Sequence, residues 1–212
     1  MRSATRILIS TIGFISGLFG VEHGIGEFLQ GNIQPDGLLI QAWPHSSAFA
    51  IIGGEPAMTI IPNMRMTGAA AILVSAVVAV WSIAFVHRKF GGPVLILLSI
   101  LQLLFGGGIA PIVQLVVVGF AALAVHSQYT WLRKTLPANV LRIAEKGWIW
   151  VFGITIALCL SLFPGSIILG WLFPQTDPAV IVDLSKIYIP FLLLAVFLSF
   201  GHDASAIERG GG

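Results

Sequence analysis

From Phe90 to Leu132 the chain contains no Lys, Arg, Asp or Glu. Soluble domains carry roughly one charged residue in four, and a single membrane-crossing helix needs only about 20 apolar residues. The stretch is therefore too apolar for water and too long for one span. It is interrupted once, at Gly106-Gly107-Gly108-Ile109-Ala110, whose glycines free the backbone to reverse. Pro111 can then open a new helix at a position where its missing N–H is not needed. A tight helical hairpin inside a bilayer is expected, with spans at 93–105 and 111–132.

Four more apolar segments complete the pattern, at residues 7–29, 66–87, 148–172 and 179–202. The expected fold is all-α: a single polytopic bundle over residues 1–212 with six transmembrane helices. With 57% hydrophobic and 9% charged residues, most of the chain is consumed by spans. Pro164-Gly165 is expected to kink the fifth span, and Asp177-Pro178 to cap the sixth. The first six residues followed by an apolar run resemble a signal peptide, but no small-x-small cleavage pattern follows, so a retained span is expected. Cys159 is the only cysteine, which excludes an internal disulfide and a cysteine-based metal cluster.

Six spans put both termini on one side, and basic residues indicate which. Arg2, Arg6, Arg88, Lys89, Arg133, Lys134, Arg142, Lys146 and Arg209 fall on the terminal side, against Arg65 and Lys186 on the other. The positive-inside rule then makes the termini cytoplasmic and the chain a multi-pass protein of the plasma or cytoplasmic membrane. This distribution explains the basic pI near 9.0 without nucleic acid. The lipid bilayer is the expected partner. On the outer side Glu22, Glu27, Asp36, Glu55, Asp177 and Asp183 make an acidic face that attracts cations.

The first helix holds the candidate chemistry. Gly13, Gly17, Gly20, Gly24 and Gly31 lie on one helical stripe, which lets another backbone approach closely. Glu27 shares that stripe and His23 sits one turn before it, so a carboxylate and an imidazole can face the bundle. Glu22 points about 180° away and needs a partner of its own, from Arg65 or from the long outer segment 32–65. That segment is too long for a simple connector and too apolar for a disordered one, and is expected to be a structured loop over the outer end of the bundle. It carries His45 and Glu55.

Glu22, His23, Glu27, His45 and Glu55 are thus the expected proton or cation site, with His23 and Glu27 as candidate metal ligands. A merely solvated outer mouth is the plain alternative. On the inner side His87, His126 and His202, with Asp203 beside the last, read as interfacial residues. Gln102 and Gln114 are placed to hydrogen-bond across the hairpin. No haem or nucleotide signature is present, no HExxH and no nucleophile elbow, and the Gly106–Gly108 turn lacks the Lys-Ser/Thr of a phosphate loop. The expected function is a small permease or channel-like protein taking a small solute or cation. A metal-dependent membrane-embedded enzyme and an accessory subunit of a membrane complex are the alternatives.

Overall fold

The computed structural model describes residues 3–44, 46, 49 and 54–210, with side chains described as far as residue 207. The chain is all-α apart from one small hairpin. In order it forms α1 (Ala4–Leu29), β1 (Leu39–Gln41), β2 (Pro56–Met58), α2 (Met64–Ala84), α3 (Gly91–Leu104), α4 (Ile109–Leu123), α5 (Thr130–Thr135), α6 (Ala138–Leu162), α7 (Gly165–Leu172) and α8 (Ala179–Gly210). Helices α1, α2, α6 and α8 are long and apolar enough to cross a membrane, and α3 and α4 are shorter apolar helices of 14 and 15 residues. Such a set marks a multi-pass membrane protein.

Helix α1 is the axis of the bundle. In its most apolar window 56% of residues are buried, against 17% in α8. Ser3 caps it, accepting a hydrogen bond from the Arg6 N–H at 3.1 Å. Its glycines explain why α2 lies so close. A Cβ at Gly17 would fall 2.7 Å from the Ala79 nitrogen, and one at Gly24 would fall 2.8 Å from the Gly68 carbonyl oxygen. Gly13 and Gly20 face Ser82 and Ser75 in the same way, so four of the five stripe glycines are contact points for α2. Gly31 is not one of them. It follows the helix with φ at +85° and has open space around it.

Helix α4 packs on α1 and on α3, and α3 packs in turn on α2, while α6 and α8 pair and join the rest through α1 and α4. Leu8, Ile9, Ile12, Val78, Leu95, Leu115 and Leu192 form the apolar core. The start of α1 is held by Asp203 of α8, which accepts from the Ala4 N–H at 2.8 Å and the Thr5 N–H at 3.1 Å. A buried carboxylate at a helix N-terminus satisfies free N–H groups and complements the helix dipole.

Several boundaries differ from those expected. The fourth segment does not run to residue 132: α4 stops at Leu123, and Ala124, Val125 and His126 form a turn before the short α5. The fifth begins ten residues earlier than expected, because Arg142 and Lys146 lie on the exposed side of α6 while Leu141, Ala144 and Trp148 face inward. It also breaks at Phe163-Pro164 instead of merely kinking, and α7 follows separately. Helix α8 continues past residue 202 to Gly210. Gln102 and Gln114 do not bridge the hairpin. Both turn to Ser16 of α1: the Gln102 amide donates to its carbonyl at 3.3 Å, and its hydroxyl donates to Gln114 Oε1 at 3.1 Å.

Candidate functional site

Among the described residues between α1 and α2, β1 and β2 form an antiparallel pair in which Ile40 faces Ala57. The Gln30 side chain ties it to the end of α1 by donating to the Gln41 and Ala42 carbonyls at 2.8 and 2.9 Å. Gly26 lets it sit down: a Cβ there would fall 2.6 Å from the Ala42 carbonyl oxygen. The Ala42 N–H donates to the Glu55 carbonyl at 2.9 Å, which sets Glu55 above α1. Trp43 is placed by the same strand, and its indole N–H donates to Glu22 Oε1.

Three chemistry-bearing side chains converge there. His23 Nδ1 lies 3.2 Å from Glu22 Oε2 and 3.2 Å from Glu55 Oε2. Ligand-capable atoms of Glu22, His23 and Glu55 all fall within 4.8 Å of one another. His23 and Glu55 are buried, and Glu22 is partly so. His23 Nδ1 is also 3.0 Å from the Phe19 carbonyl oxygen, an atom that can only accept. A hydrogen bond there puts the proton on Nδ1 and leaves three oxygens around one N–H. That is the environment of a proton donor. A metal bound at Nδ1 would require the ring to release both the proton and the Phe19 carbonyl.

Burial, and then the neighbouring Glu22 charge and a hydrogen bond to Glu22, push the Glu55 carboxyl up to about 10. At neutral pH Glu55 therefore holds its proton.

Glu27 lies apart from this trio. It is 0% exposed, and neither carboxyl oxygen has a hydrogen-bond partner among the described residues. It is covered by the turn between α3 and α4: a side chain at Gly106 would overlap the Glu27 carboxyl, and one at Gly108 would overlap the His23 ring. Both glycines have positive φ, +93° and +81°. Gly106, Gly107 and Gly108 are buried, so this turn is the roof over two ionisable side chains. The turn is also pinned to the hairpin, by a bridge between Thr59 and Phe105 and by the Ile60 N–H donating to the Leu104 carbonyl at 3.0 Å.

Next to the trio a cleft of about 360 Å³ opens between α1, α4, the end of α6 and α8. Phe19, Pro111, Val113, Leu162, Phe163 and Ile189 are among its apolar walls, and His23 and Glu55 are the ionisable groups of its outer end. Phe163 meets Phe19 edge-on at 4.7 Å and lies parallel to Phe49.

Of the expected site residues, Glu22, His23 and Glu55 come together, Glu27 occupies a separate buried pocket, and His45 lies outside the described residues. Arg65 is not the partner of Glu22; its guanidinium lies over the Phe28 ring. The glycines of the α3–α4 turn belong to the site, and the signal for them was their run of three. At the end of the bundle away from the hairpin His126 contacts the Arg88 carbonyl at 3.4 Å, while His202 meets the Trp148 ring edge-on and lies 3.3 Å from Asp203. Loss of hydration, and then the positive neighbours Arg6, Arg88 and His126, hold His87 below the usual histidine value.

Comparison with protein-family models, characterised proteins and solved structures found no match for this chain.

Proposed function

We propose that the protein is a small six-span permease of the plasma or cytoplasmic membrane, its termini cytoplasmic. A proton site of Glu22, His23 and Glu55 stands at its outer mouth, with Glu27 as a second carboxyl behind it. The observation that carries this reading is His23 Nδ1 among three oxygens, two of them carboxyl oxygens at 3.2 Å. An imidazole between two carboxyl groups can pass a proton in either direction with little movement. The aromatic and apolar cleft beside it offers a solute a place next to that proton.

The test is reconstitution into vesicles loaded with a pH-sensitive dye and challenged with a panel of small solutes and cations. The wild-type protein is expected to couple entry of at least one of them to proton movement, and Glu22→Gln to reduce that coupling by about tenfold or more, the worth of roughly 1.4 kcal/mol. Coupling unchanged in Glu22→Gln and in Glu55→Gln overturns the proposal.

A metal-dependent role is the second reading, favoured by the convergence of Glu22, His23 and Glu55 ligand atoms within 4.8 Å. Elemental analysis of the purified protein separates the two: a stoichiometric metal that is lost in His23→Gln supports the metal site, and its absence supports the proton site.

A further inference from the structure

We infer that the cleft between α4 and α8 is the binding site of a lipophilic amine, entered sideways from the membrane, with its ammonium head against Glu22 and Glu55 and its apolar body along Phe19 and Phe163. The inference rests on the proton-site reading and names the substrate class of that site.

Charge selects the head group. His23 of α1 and Glu55 of the loop line the cleft, with Glu22 at 3.2 Å behind His23, while Gln114 of α4 and Ser185 and Tyr188 of α8 are the polar groups that line it from the other elements and Cys159 of α6 lies behind Gln114. No Lys or Arg lines it among the described residues. Two carboxyl groups, Glu22 and Glu55, against one imidazole make an acceptor-rich end that repels anions and suits a donor with positive charge. Glu55 is 6% exposed, and its Oε2 accepts no hydrogen bond among the described residues, so an acceptor already faces the place where the head would sit. Phe19 and Phe163 in edge-to-face contact add ring faces that favour a cation.

The body of the ligand follows from the walls. A volume of about 360 Å³ is at the small end of the roughly 300–1,000 Å³ typical of ligand pockets, and the walls are overwhelmingly apolar. The entrance is set by exposure: Val113 of α4 and Val182 and Ile189 of α8 line the cleft and are also exposed, on surfaces that face lipid in a membrane-spanning bundle. A ligand with an apolar body dissolves in lipid first and enters between α4 and α8. Its charged head then meets the unpartnered Oε2 of Glu55, with Glu22 within 4.8 Å of the same group.

The experiment is isothermal titration of the full-length protein in lipid nanodiscs with three probes of one shape: 4-phenylbutylamine, 4-phenylbutanol and 4-phenylbutyrate. The amine is expected to bind at least about tenfold more tightly than the alcohol or the acid, the equivalent of one charge-assisted contact. Glu22→Gln should weaken the amine by about tenfold while leaving the alcohol unchanged. Val182→Trp, which narrows the mouth and leaves the carboxyl groups intact, should weaken all three probes and gives an independent answer where Glu22→Gln does not fold. Equal affinity for amine and alcohol, or amine binding indifferent to Val182→Trp, overturns the inference. The two readings fail separately. Amine binding without proton-coupled uptake removes the permease and keeps this site. Proton-coupled uptake of another solute without amine binding removes this substrate class and keeps the permease.

Discussion

Glu55 sits 6% exposed under a loop, beside another carboxyl group, and its value is pushed up to about 10 from an ordinary 4.5. Between those two values the folded chain holds a proton that the unfolded chain has released, so stability falls as pH rises across that window. The contribution is fully present below about 4.5 and is gone above about 10, with a slope of at most about 1.4 kcal/mol per pH unit. Thermal unfolding in detergent is expected to show a higher midpoint at pH 5 than at pH 8, and Glu55→Gln, which keeps the shape without the titration, should flatten that difference. An equal difference in the variant would assign the pH dependence elsewhere. At this scale the sequence reveals less than it promises. Helical periodicity sets Glu22 on the opposite side of α1 from the glycine stripe, yet its carboxyl comes to 3.2 Å from His23 Nδ1, and the loop, one of its two expected partners, supplies Trp43 as a donor to it. No local pattern says that Trp43 and Glu55 would reach that side, because their position depends on strand pairing between residues far apart in the chain.

Glycines on α1 show which part of an element is legible and which is not. The stripe predicts close approach from spacing alone, and Gly13, Gly17, Gly20 and Gly24 make it, against Gly68, Ser75, Ala79 and Ser82 of α2, small residues at steps of seven, four and three whose match to the stripe shows only when the two helices are set side by side. Substituting Gly17 with Leu places its Cβ inside the Ala79 nitrogen and Ser75 carbonyl, and is expected to cost at least about 1–3 kcal/mol, the range for overpacking. Gly153 of α6, which has nothing within 4 Å, is the contrast. Gly153→Ala should raise stability by roughly 0.5–1 kcal/mol through helix propensity. Thermal midpoints of the two variants check both statements, and a neutral Gly17→Leu would mean that α1 and α2 part easily. Asp203 was visible in the sequence only as a neighbour of His202. Its role in capping α1 links chain positions about 200 residues apart, a relation that no local spacing encodes.

Across the whole molecule, apolar segmentation made the membrane class evident, because long helices are the only way such segments can satisfy their backbone groups in lipid. The ends of those segments were less visible, since α6 carries Arg142 and Lys146 on an exposed side and so hides its first ten residues among loop-like charges. Proximity of Ala4 and Asp203 places the start of α1 and the end of α8 at one end of the bundle, with the hairpin at the other end of α1. The proposed orientation makes a specific statement about access. In a Cys159→Ser background, Asp36→Cys should react with a membrane-impermeant maleimide in intact cells, and Ser3→Cys only after permeabilisation. The reverse pattern would invert the protein and put the Glu22, His23 and Glu55 trio on the cytoplasmic side.

The turn over Glu27 and His23 consists of positions without side chains, and that changes how the protein should respond to alteration. Removing a functional group from most sites abolishes what the group did; here a single methyl added at Gly106 or Gly108 meets a carboxyl or an imidazole, on a backbone whose φ already disfavours any other residue. A survey that replaces each residue by alanine adds that methyl here, and is expected to score these glycines alongside the charged residues. They are where one carbon atom should do as much damage as the loss of a charge, and the bridge from Phe105 to Thr59 would carry that damage into the outer hairpin.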